Sequence, residues 1–136
     1  MKSIYKIYQP NHPTFRVDKK QEVYFEEDFH KVYESEYTPE NNQKDNQTLE
    51  WLFEKFNIAH PSDFKGHSLS VGDIVELQVI NEEELVYDFE EEKEVPSIYD
   101  RNYYICCNFG WQKIDFMSTK EYVEQADSKL YQQMNG

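Results

Sequence analysis

Catalysis at neutral pH needs a nucleophile, a proton-transfer group or a bound metal, and this chain offers few candidates. Its four histidines, His12, His30, His60 and His67, stand far apart. None forms an HxH, HExxH or CxxC-type pattern, so the spacing provides no zinc site. His60 precedes Pro61 and reads as a loop residue. Cys106 and Cys107 are adjacent. Neighbouring cysteines rarely bridge each other, and on a strand they point to opposite faces. Each reads as a small core residue rather than a nucleophile beside a histidine. Gly66, Gly72, Gly110 and Gly136 stand singly, so no glycine loop cradles a phosphate. "DFEEEKE" lacks the fixed oxygen spacing of a divalent-cation loop. The sequence therefore predicts no catalytic residues, no metal and no cofactor.

What the chain has in excess is carboxylate. Twenty-seven acids against fourteen bases leave a net charge of −13. Such a protein repels nucleic acid and anionic membrane surfaces, and its contacts with a basic protein surface weaken as salt rises. Glu82, Glu83, Glu84, Asp88, Glu90, Glu91, Glu92 and Glu94 crowd into one stretch against a single base, Lys93. That is about half of the whole net charge, and folding a core does not require it. Leu85, Val86, Tyr87 and Phe89 sit among these acids. Tyr87 and Phe89 are candidate anchors of a protein contact, with the eight carboxylates as its charged partners. Glu26, Glu27 and Asp28, in "YFEEDF", form a second acidic candidate.

The elements that must position these groups follow from periodicity. "SIYKIYQ" alternates as a first strand, with Ile4 and Ile7, or Tyr5 and Tyr8, on one face. In "EVYFEEDF", Val23, Phe25 and Phe29 fit a strand or a short helix, and "HKVYESEYT" alternates as a strand. Pro39 to Gln47 is a polar loop. "TLEWLFEKFN" is a helix whose Leu49, Leu52, Phe53 and Phe56 make one apolar stripe. Thr48 is its expected N-cap, and Asn57 its left-handed end. After a Gly72-Asp73 turn comes a strong strand. It puts Ile74, Glu76, Gln78 and Ile80 on one face and Val75, Leu77 and Val79 on the other. "NYYICCNF" and "WQKIDF" are strands around a turn or bulge at Gly110. A C-terminal helix opens with a Ser118-x-x-Glu121 capping box and buries Tyr122 or Val123, Ala126, Leu130 and Met134. The expected architecture is a single α+β domain over residues 1–136, a mostly antiparallel sheet, open or curled toward a barrel, with two helices. The acidic segment 81–102 is a hairpin insertion between two core strands. No apolar run is long enough for a secretory signal or a membrane span, and no disulfide framework exists, so a reducing cytoplasm is expected.

Two segments, "TLEWLFEKFNIAHPSDFKGHSLSVGDIVEL" and "YYICCNFGWQKIDF", resemble the YodL-like domain of proteins from Firmicute conjugative and other mobile elements. The family pattern is a helix ending in Phe-Asn-Ile, a His-Pro-x-Asp-Phe loop, an "HSLSVSDVV" strand entry and a "YYCDSFGF" strand. Phe56-Asn57-Ile58, His60 to Phe64, His67 to Val71, and Phe109-Gly110 with Trp111 match it. The resemblance covers residues 48–80 and 103–116, and more weakly the N-terminal strands. Gly72 departs from the usual polar residue, and Cys107-Asn108 from a frequent Asp-Ser. The family often joins the two strands by a short turn, where this chain inserts residues 81–102.

The resemblance implies a domain and not an activity. A mobile element must survive host nucleases, which line their nucleic-acid channels with Lys and Arg. On an extended strand, same-face carboxylates recur every ~6.6 Å, comparable to phosphate spacing. The expected function is that of a non-enzymatic inhibitor of a Cas9-like or restriction nuclease, bound at its basic channel without direct nucleic-acid contact. The alternative is an accessory or regulatory module whose partner binds the family-like surface around His60, Asp63, His67 and Trp111. A weaker third is an enzyme using Cys106, Cys107 and His67.

Overall fold

The computed structural model describes residues 1–135. Six strands and two helices follow one another: β1 (Lys2–Pro10), β2 (Val23–Phe25), β3 (Phe29–Tyr37), α1 (Asp45–Ile58), β4 (Ile74–Asp88), β5 (Lys93–Cys107), β6 (Gly110–Met117) and α2 (Thr119–Asn135). A 3-10 turn, Glu26–Asp28, links β2 to β3. The strands form one sheet in the order β2-β6-β5-β4-β1-β3, curled into a half-barrel. All neighbours are antiparallel except β2 and β6. The α+β, mostly antiparallel expectation holds.

Side chains alternate across a strand, so the central strands feed two cores. Tyr5 and Ile7 of β1 and Val75 and Leu77 of β4 pack against Leu49, Leu52 and Phe56 of α1. Ile74, Ile105, Ile114 and Phe116 face the other way and meet Tyr24 and Phe29. The β4 alternation therefore sorts as its sequence predicts. The β1 pairing does not: Tyr5 goes with Ile7, because only residues two apart share a face. The second face is covered by Phe15 and Val17 from the 11–22 loop.

The helices correct several expectations. α1 starts at Asp45, three residues before Thr48. Lys44 precedes it, and its backbone N–H donates to the Gln47 side chain at 2.8 Å. Thr48 is buried inside the helix and accepts from Gln43 at 2.7 Å. Asn57 is helical rather than left-handed, and its amide donates to the Leu69 carbonyl at 3.0 Å, which ties α1 to the following loop. Phe53 is 39% exposed and lies outside the buried stripe. α2 buries no stripe: Tyr122, Val123, Ala126, Leu130 and Met134 are all exposed. It is held at its start, where the Ser118 hydroxyl accepts from the Glu121 N–H at 3.1 Å and the Phe25 and Tyr122 rings meet edge to face.

Gly72 turns the chain into β4 with φ +98°, and a Cβ there would come within 3.2 Å of Phe15. L-residues in this region cost about 1–2 kcal/mol. Gly72→Ala is therefore expected to lower unfolding stability by about that much, read as a smaller urea midpoint at unchanged slope.

Candidate functional site

The acidic segment is built as a finger. Beyond Ile80, β4 and β5 leave the sheet and run on together to a turn at Phe89–Glu92. The insertion is thus a direct extension of two core strands, made possible by Leu85, Val86, Tyr87 and Val95 continuing the β-forming pattern between the acids. The register shifts twice at its root. Asn81 pairs with Ser97 and Leu85 with Pro96, so Glu82, Glu83 and Glu84 bulge out unpaired. Such bulges re-aim a strand. At the tip, the Asp88 side chain accepts from the Glu90 and Glu91 backbones at 2.9 and 3.3 Å, and Glu92 takes φ 54°.

Neither core cluster includes a residue of the finger. Leu85, Val86, Tyr87 and Phe89 are exposed at 54, 43, 52 and 84%, and Ile98 and Tyr99 join them from β5. All of these but Leu85 border an open trough of about 700 Å³ that Glu84 and Asp88 also line. The Tyr87 and Phe89 rings meet at 4.9 Å. All eight predicted carboxylates and both predicted anchors therefore come together on one ribbon. Two lysines pair with them: Lys2, at the root, reaches Glu82 at 3.3 Å, and Lys93, next to the tip turn, reaches Glu91 at 3.7 Å.

The second acidic candidate is put to structural use. Glu27 accepts from the Thr119 backbone at 3.0 Å and from its hydroxyl, capping α2. Glu26 lines a separate cleft of about 330 Å³ with Arg101 and Glu121. Burial, then the Glu121 carboxylate, raise its pKa. Beside this cleft the buried Glu76 accepts from Tyr8 Oη at 2.9 Å and pairs with Arg101 at 3.2 Å. Asp28 is exposed.

The family-like surface does not converge on one pocket. Asp63 accepts from Tyr33 Oη at 3.0 Å, the His60 ring meets Phe64 at a tilt, with centroids 5.5 Å apart, and Trp111 packs on the α1 core. His67 alone meets a polar centre, one that sequence reasoning missed. Asp73 is fully buried. Its Oδ2 accepts from the Ser70 N–H at 2.9 Å and Gln9 Nε2 at 3.1 Å. Its Oδ1 has no hydrogen-bond partner and faces His67 Nε2 at 3.8 Å. His67 Nδ1 lies 2.8 Å from the Ser68 carbonyl and 3.1 Å from Gln9 Nε2. Burial raises the Asp73 carboxyl from 3.8 to about 6.

The folded state therefore binds this proton more tightly than the unfolded chain. Its stabilising contribution is full below 3.8 and is lost as pH rises through about 6. Asp73→Asn keeps an oxygen for Ser70 and Gln9 and turns N–H groups toward His67. Its stability relative to the unmodified chain is expected to improve between pH 4 and 7. Urea unfolding across that range checks this, and a constant difference would contradict it.

Burial, with Asp73 nearby, pushes the Cys106 thiol up to about 12, which keeps it protonated and a poor nucleophile. Among the described residues no group of three or more His, Cys, Asp or Glu is placed to hold a metal. None of the described helices is long and apolar enough to cross a membrane.

No curated protein and no solved structure matches this chain. A family model, that of the YodL-like domain, matches residues 2–116, which takes in both cores and the finger and ends before α2. Since that match spans most of the 136 residues, the chain belongs to the YodL-like domain family.

Proposed function

We propose that this chain is a protein-binding domain whose acidic finger occupies the basic, nucleic-acid-binding channel of a partner. The partner is a defence nuclease, of the Cas9-like CRISPR type first and of the restriction type second. The observation that carries this reading is the finger itself. Eight carboxylates and exposed Tyr87 and Phe89 stand on a ribbon that belongs to neither core. Crowding like charges costs stability, so a partner that neutralises them gains the energy of their repulsion. The rings provide apolar area that charge alone lacks, and the resemblance to mobile-element proteins supports a nuclease as the target.

The test is plasmid cleavage by such nucleases with and without a molar excess of the protein, at two salt concentrations. Inhibition at low salt that fades at high salt is expected. Full cleavage by every CRISPR and restriction nuclease tested, at both salts, would remove the nuclease reading. The unsatisfied Asp73 beneath His67, within the family motif, favours a second reading, an accessory module that binds another element-encoded protein on that face. A pull-down lost on His67 substitution but kept on finger neutralisation would select it.

A further inference from the structure

We infer that the free edge of β4 from Leu85 to Asp88 accepts an extended, lysine- or arginine-rich segment of the partner as an added strand. This rests on the acidic finger being the docking element. β1 pairs with β4 only as far as Lys2 opposite Ile80, and β6 pairs with β5 only from Tyr103 onward. Between these limits the finger is a two-stranded ribbon with two unpaired edges. Such a ribbon is marginal in water, and a third strand stabilises it.

The two edges differ. β5 carries Pro96, which has no N–H to offer a neighbour. The β4 edge from Leu85 to Asp88 contains no proline, so its backbone is a complete template. Its side chains alternate, with Val86 and Asp88 on one face and Leu85 and Tyr87 on the other, and Glu84, at the end of the bulge, lines the same trough as Val86 and Asp88. A strand with a basic residue at every second position lays its cations beside Glu84 and Asp88. Its remaining side chains then reach Leu85 and Tyr87. The flanking acids, Glu82 to Glu84 and Glu90 to Glu92, repel the same edge of a second copy. The charges that block self-association thus select a basic occupant.

The experiment uses the full chain and two ten-residue peptides of equal charge, one alternating Lys and Val, the other Lys and Pro. The second cannot complete a strand ladder. Affinity at low salt is measured together with backbone hydrogen exchange over residues 82–100. The Lys-Val peptide is expected to bind at least tenfold more tightly and to slow exchange between Leu85 and Asp88. Equal binding of both peptides without slowed exchange would overturn strand addition and leave the charged finger standing. Binding of neither would overturn the finger as a docking element as well.

Discussion

Changing the eight carboxylates between Glu82 and Glu94 to their amides is expected to weaken binding to a basic partner at low salt by about 100-fold or more, while the protein stays folded. The separation of the two effects follows from position. The finger adds no side chain to either core, so the change removes nothing that packs. Lys2 loses Glu82 but keeps Glu36 at 2.6 Å. Asn at position 88 can still accept from the Glu90 and Glu91 backbones and hold the tip turn. Removing like-charge repulsion also leaves the stability unchanged or higher. Titration calorimetry reads the binding and urea unfolding the fold. A variant that binds as before would show that the charges are only a solvated surface.

Phe56→Ala produces the opposite pattern. Phe56 is wholly buried, and its ring meets those of Phe64, Tyr33 and Tyr5 at 4.8, 5.4 and 6.0 Å. Truncating a buried Phe costs about 3–5 kcal/mol. Domains of this size are stable by about 5–15 kcal/mol, so the variant is expected to unfold at much lower urea or to populate the unfolded state in buffer. The finger keeps its charge in this variant, so lost binding would track lost fold. A loss under 1 kcal/mol would mean that α1 is not the lid of the first core.

Strict alternation in β4 placed Ile74 and Val75 on opposite faces because each strand face has its own core. α1 was readable through Leu49, Leu52 and Phe56, but its start was not. Lys44 has no capping side chain, and the signal lay in Gln47 reaching back to the Lys44 backbone. The apolar spacing of α2 was real but had no surface to cover, since Phe15 and Val17 from a loop without helix or strand periodicity already cover the second face. Asp73 read as half of a Gly-Asp turn. Its burial depends on Gln9, sixty-four residues away in the chain, which no local pattern reveals. The acid count was plain from composition, whereas its mounting on a ribbon with unequal edges came only from the register.

We propose that the finger takes the place of nucleic acid in a basic channel. The most direct test is displacement of a labelled DNA duplex from a Cas9-like nuclease loaded with its guide, titrated with this protein and with its finger-neutralised variant at low salt. The unmodified protein is expected to release the duplex and the variant to leave it bound. Release by both proteins alike, or tight binding of the unmodified protein with the duplex still in place, would contradict it.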